Sequence, residues 1–254
     1  MIYSKSMAEL RTMDRCNAIV LDILHRLKAV IVPGITTGDL DRMAEEWTYD
    51  AAALPAFKGY RGYPATLCTS VNEEVVHGIP GDRELKEGDI IGIDMGVIVD
   101  GYYGDSAMTV PVGTVKPEAA RLLEVTEESL KRAVKSTVLG NRISDIGHTV
   151  SSYVTAHGYT VVKEFTGHGI GRALHEDPQV PNYGDPGRGP RLSEGMVLAI
   201  EPMVCEGQSD VVLADDSWTA STADGSLAAH FERSVAVTAS GPWVLGEMPP
   251  PGER

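Results

Sequence analysis

Apolar positions in the first part of the chain fall at helical spacing. Leu10, Met13, Val20, Leu24, Leu27 and Ile31 make one stripe, and Pro33-Gly34 ends it. A second helix is expected to start after Thr37, with Leu40, Met43, Ala44 and Trp47 on one face. The pattern then shortens to strand-like runs, IIGIDMGV and DSAMTVPVG, before helical spacing returns. Pro117 suits the first turn of a helix carrying Leu122, Leu123, Leu130, Ala133 and Val134, and Gly140 closes it. A fourth helix begins near Ser144 and stops at Gly158, and strands at MVLAI and ERSVAVT follow.

The second half of this pattern repeats the first. Gly34, Asp39 and Leu40 precede Gly140, Asp145 and Ile146 by 106 positions, and LKEGDIIGIDMGV at 85–97 aligns with LSEGMVLAIEPMV at 192–204 at an offset of 107. In that alignment Asp94 takes the place of Glu201. Each acid is followed by another that opens an alternating strand, Asp105 in DSAMTVPVG and Glu232 in ERSVAVTASG. An internal duplication packed face to face, spanning about 8–113 and 117–241, brings the four carboxylates to a shared centre. One catalytic domain over 1–254 is expected, with a disordered tail at 247–254 (EMPPPGER).

Composition narrows the partners. The chain has 22 Lys and Arg against 36 Asp and Glu, a formal charge of -14, which argues against a general phosphate-binding surface and so against nucleic acid. Neither a secretory leader nor an apolar run of membrane-spanning length is apparent, so a cytoplasmic location without membrane contact is expected. Cys16, Cys68 and Cys205 are odd in number and widely spaced, as suits reduced thiols rather than a disulfide framework.

Four converging carboxylates repel one another unless protons or divalent cations neutralise them, and oxygen-rich sites suit such cations. A pair of ions bridged by Asp and Glu is a common hydrolytic arrangement. Histidine candidates stand in glycine-rich stretches that let the backbone approach a ligand: His168 and His175 in EFTGHGIGRALHEDP, and His77 in VNEEVVHGIP. A single buried His or strand-end Asp is more often structural than ligating. Two acids in each repeat, with glycine-flanked histidines between them, favour metal.

In this order VVHGIP, IGIDMGV, YYGDS, GHGIGRALHEDPQVP, LAIEPMV and HFERSVAVT resemble a type I methionine aminopeptidase, over about residues 7–245. The spacings of 11, 7 and 31 residues between Asp94 and Asp105, His168 and His175, and Glu201 and Glu232 match as well. The resemblance implies an α+β pita-bread fold, two pseudo-symmetric αβ halves around a curved, largely antiparallel sheet. It makes Asp94, Asp105, His168, Glu201 and Glu232 ligands of two divalent metal ions (Co, Mn, Fe or Zn), with Asp105 and Glu232 bridging. It gives Glu201 a proton-shuttling role and sets His77 and His175 beside the substrate carbonyl. Tyr60, Tyr63, Cys68 and Trp218 match positions that line the methionine pocket or its rim.

The implied activity is removal of initiator methionine from nascent polypeptide N-termini, with a small second residue preferred. The implied protein is a monomer, and contact with the ribosome is left open. Two residues depart from the family pattern: Leu174 stands where a larger residue is usual, and Ala228 replaces a small polar residue that often contributes to a monovalent cation site. Two other readings compete. A proline-specific peptidase of the same fold is expected to carry a separate N-terminal domain, and a noncatalytic binding protein is expected to have lost ligands.

Overall fold

The computed structural model describes residues 1–247, so most of the expected tail, 248–254, lies outside the described residues. Helix α1 (Met7–Val30) opens on a capping box in which Ser6 Oγ accepts from the Glu9 N–H and Glu9 Oε2 accepts from the Ser6 N–H. Its stripe of Leu10, Met13, Val20, Leu24 and Leu27 is buried. Each such side chain contributes roughly 1.5–3 kcal/mol through the water it no longer meets. Helix α2 (Thr37–Asp50) starts where Thr36 Oγ1 accepts from the Asp39 N–H at 3.0 Å. Helix α3 (Pro117–Ser136) has proline in its first turn, and α4 (Ile143–Ala156) begins where Asp145 Oδ2 accepts from the Arg142 N–H at 2.7 Å.

The first half supplies strands β1 (Leu54–Pro55), β2 (Leu67–Val71), β3 (Glu74–Val76), β4 (Ile90–Val99) and β5 (Tyr102–Pro111). The second supplies β6 (Thr160–Val161), β7 (Gly167–Gly169), β8 (Glu176–Val180), β9 (Val197–Ile200), β10 (Met203–Cys205), β11 (Val211–Leu213), β12 (Ala220–Thr222), β13 (Ala228–His230), β14 (Glu232–Thr238) and β15 (Gly241–Val244). The main sheet runs β1-β4-β5-β14-β9-β7-β8, with β2 also on β4 and β15 also on β14, and every pairing in it is antiparallel. Two smaller sheets, β13-β10-β6 and β11-β12-β3, flank it. This is the α+β class expected. One large apolar cluster draws on both halves, from Met13 and Leu24 in α1 to Ile146 and Val150 in α4 and Trp243 in β15.

Equivalent positions of the halves adopt equivalent geometry. Isolated bridges join Thr36 to Glu84 and Arg142 to Arg191. Gly34 and Gly140 both take φ near +92°, a conformation that L side chains rarely adopt, at the turn between the paired helices. Gly88 and Gly195, ahead of β4 and β9, are left-handed as well. Among the described residues no helix is long and apolar enough to cross a membrane, and the three cysteines are free and buried.

Candidate metal centre

Strand register brings the acids together. Asp94 on β4 stands opposite Ala107 on β5, and Ala107 stands opposite Glu232 on β14. Directly opposed residues of an antiparallel pair project from the same face, so Asp94 and Glu232 share a face. Asp105, two residues from Ala107 along β5, shares it too. On the far side Arg233 pairs with Ile200, so continuing that register sets Glu201 against Glu232. His168 on β7 opposes Ala199, which lies two residues before Glu201, and completes the group on the same face. All five expected ligands therefore point into one bowl.

The distances agree with the register. Ligand atoms of Asp105, His168 and Glu232 all lie within 4.8 Å of one another. His168 Nε2 is 3.9 Å from Asp105 Oδ2 and 3.5 Å from Glu201 Oε1. His168 Nδ1 lies 2.9 Å from the Gly169 carbonyl oxygen, which can only accept, so Nδ1 carries the proton and Nε2 presents its lone pair to the acids. The flanking glycines let β7 fit: a Cβ at Gly167 would lie 2.3 Å from the Ala199 oxygen, and one at Gly169 would lie 2.2 Å from the Asp177 oxygen.

Asp94 Oδ1, Asp105 Oδ1 and Glu232 Oε1 are buried without a hydrogen-bond partner. Burial raises the Asp94 carboxyl to about 7. Burial first, then the neighbouring acids, holds Asp105, Glu201 and Glu232 well above the ordinary carboxylate range. Burial and the adjacent His175 take the His168 imidazole down to about 3. Bare carboxylates this close cannot all ionise, and orphaned oxygens facing a lone imidazole nitrogen are what an oxygen-rich divalent cation satisfies. The residues fit such an ion.

A pocket of about 180 Å³ opens onto the acids. Each expected pocket residue lines it: Tyr60, Tyr63, Cys68, His77, His175 and Trp218. Tyr63 donates its hydroxyl to the Leu67 and Gly78 carbonyls and packs edge-on against Trp218 with ring centres 5.0 Å apart. His77 adopts φ +63°, a conformation costing about 1–3 kcal/mol that persists where surroundings enforce it. Gly78 is part of that enforcement, since a Cβ there would lie 2.1 Å from the Thr69 oxygen. Burial lowers the His77 imidazole to about 4, and burial with the Arg61 charge lowers His175. Tyr60 Oη lies 2.8 Å from His175 Nδ1. Burial and the Asp94 carboxylate push the Cys68 thiol far up, which does not suit a nucleophile.

Sequence reasoning missed three residues. Phe57 and Arg61 line the same pocket from the loop around Tyr60, and a buried His230 places Nε2 3.7 Å from Glu201 Oε2. Ala228, expected to alter a cation site, is buried on β13 with its N–H donated to the Asn72 carbonyl. Leu174 lines the pocket wall. A wider vestibule of about 940 Å³ adjoins the pocket at Arg61, His168 and His175.

The sequence pattern of metallopeptidase family M24 matches residues 11–239. The chain is 51% identical to a methionine aminopeptidase of Clostridium acetobutylicum over 96% of its own length and 98% of that protein. A crystal structure of methionine aminopeptidase from Thermotoga maritima superposes with a TM-score of 0.96 at 44% identity, over 98% of this chain and 100% of that one. The prolidase of Pyrococcus furiosus shares the fold at a TM-score of 0.76 and 21% identity, and this chain covers 66% of it.

Proposed function

The chain belongs to metallopeptidase family M24, and on that premise we propose how its residues divide the work. It has the pita-bread fold and is a metal-dependent aminopeptidase that removes an N-terminal methionine. Asp94, Asp105, His168, Glu201 and Glu232 would hold two divalent ions. Co, Mn, Fe and Zn all suit one imidazole and four carboxylates. Such ions, when bound, lower the pKa of a water and polarise the scissile carbonyl.

The protein's own groups do the rest. Glu201 keeps an edge on the pocket and is placed to take a proton from the attacking water and pass it to the departing amine. His77 and His175 act as neutral donors, because burial disfavours their charged forms. In the tautomer where Tyr60 donates to His175 Nδ1, His175 Nε2 carries a proton to offer the developing oxyanion. Tyr63, Cys68, Trp218, Phe57 and Leu174 surround the methionine side chain with aromatic, sulfur and aliphatic contacts that suit a thioether. We assign the substrate a small second residue, to be set beside the His77 and His175 rings that line the pocket. Nascent polypeptide N-termini fit this pocket-and-vestibule arrangement as substrates.

The observation that carries this reading is the convergence of four acids, Asp105 and Glu232 buried and Asp94 and Glu201 half-buried, and one deprotonated imidazole nitrogen on one face of the sheet. Metal-loaded protein should hydrolyse Met-Ala-Ser and leave Leu-Ala-Ser nearly intact, and chelation should stop it. Preferential hydrolysis of the leucine peptide, or of X-Pro peptides, would refute it.

A further inference from the structure

His230 belongs to none of the groups named above, yet it is among the most constrained polar side chains in the protein. It is only 4% exposed, and Nε2 is buried without a hydrogen-bond partner. That nitrogen lies 3.7 Å from Glu201 Oε2, while His168 Nε2 lies 3.5 Å from Glu201 Oε1. Glu201 is thus flanked by an imidazole at each carboxylate oxygen. Of the two, His168 lines the pocket and is grouped with Asp105 and Glu232. His230 approaches Glu201 from outside the pocket lining.

Its backbone is fixed by the strand that carries Asp105. The His230 N–H donates to Thr109 Oγ1 at 2.9 Å, and the same hydroxyl donates to the His230 carbonyl at 2.8 Å. β13, which ends at His230, pairs with β10, and Met203 stands opposite His230 in that pair. Phe231 then interrupts the extended run before Glu232 opens β14 in a different sheet. His230 stands two positions before Glu232 with only Phe231 between them, the spacing that puts alternate extended residues on one face, so both address the acid cluster.

We propose that His230 is a positioning residue: its Nε2–H holds the outer oxygen of Glu201, fixing that carboxylate for metal binding from the side opposite His168. A small rotation of the Glu201 carboxylate closes the gap to hydrogen-bond length. An imidazole that donates to a ligating carboxylate orients it, and loss of such a partner typically lowers metal affinity by about 10–100-fold. The proposal rests on Glu201 being a metal ligand.

The test is calorimetric titration of the metal-free full chain with Mn(II), together with the visible spectrum of the Co(II)-loaded protein. His230→Leu should weaken Mn(II) binding by about 10–100-fold and shift the Co(II) bands, whereas His230→Gln, whose amide nitrogen reaches the same place, should stay within about threefold of the parent. Equal affinity in the leucine variant and the parent would overturn the proposal. Failure of the parent to bind Mn(II), or undiminished binding by Glu201→Gln, would instead overturn the ligand assignment beneath it. Should the leucine variant not fold, His230→Asn, too short to reach Oε2, takes its place: weakened binding supports the positioning role, and binding equal to that of His230→Gln refutes it.

Discussion

The two halves of the protein are built on the same order of helices and acid-bearing strands, yet they treat the connection between those strands differently. In the first half β4 and β5 pair over ten residues without interruption. They are joined at Asp100-Gly101, both with positive φ, as a tight hairpin requires. In the second half β9 has four residues and β14 seven, and between them come β10, β11, β12 and β13. The first half contributes two aspartates to the cluster and no imidazole. The second contributes two glutamates, His168 and the adjacent His230, and its inserted hairpin brings Trp218 to the pocket. One half thus keeps its acid-bearing strands as a regular paired platform and the other carries an insertion between them, while both line the pocket.

If the cluster truly draws equally on both copies, removing an acid from either should do similar damage. Asp105→Asn and Glu232→Gln should each lower kcat/KM by at least about 10²–10³-fold, the several kcal/mol expected when the hydrolytic ion is misplaced. A large loss in one variant and a small one in the other, measured in the same metal buffer, would break the symmetry.

The histidines beside the substrate sharpen the comparison, since His77 comes from the first copy and His175 from the second. Replacing either by Ala should cost about 10²-fold in kcat with little change in KM, as for a donor whose bond strengthens in the transition state. Stability separates platform from insertion. Leu24→Ala, in the fully buried stripe of α1, should cost about 2–5 kcal/mol in urea unfolding. Leu213→Ser, on the exposed inserted hairpin, should stay within about 0.5 kcal/mol.

The clustered acids make a pH prediction of definite sign. Their carboxyl pKa values are raised in the folded state, Asp94 to about 7 and the other three well above the ordinary carboxylate range. The folded chain therefore holds protons that the unfolded chain releases. Their contribution is fully present below the unfolded carboxylate pKa and is lost as pH rises through the folded values. In chelator, Tm should fall as pH rises toward and past about 7, and saturating divalent metal should reduce or reverse that slope. At the helix starts, Thr36→Ala, which removes the N-cap acceptor of α2, should cost about 0.5–2 kcal/mol in urea unfolding.

Much of this centre was legible because each half sets an acid in or beside an apolar strand run, Asp94 in IIGIDMGV and Glu201 after MVLAI, where burial penalises a lone charge. Asp94 and Glu201 fall at aligned positions of the two halves, so each marks the other as a candidate. The helices were legible from their stripes: α2, α3 and α4 start within a residue of the expected positions, while α1 ends three residues before Pro33 and α3 four before Gly140. His230 was not legible. In HFERSVAVT it reads as one more residue before a strand, and its approach to Glu201 shows only in the fold, at the end of β13 opposite Met203. Phe57 and Arg61 were hidden for a related reason: the loop around Gly59 and Gly62, both left-handed, sets their direction, and no periodicity reports it.

The central claim is that side chains from both copies hold the ions on which methionine removal depends. Anomalous diffraction from crystals grown with Mn(II) tests it most directly. Two peaks between Asp105 and Glu232, one of them also in contact with His168, are the predicted result. No peak at these side chains, in crystals of protein that cleaves Met-Ala-Ser with Mn(II) present, would contradict it.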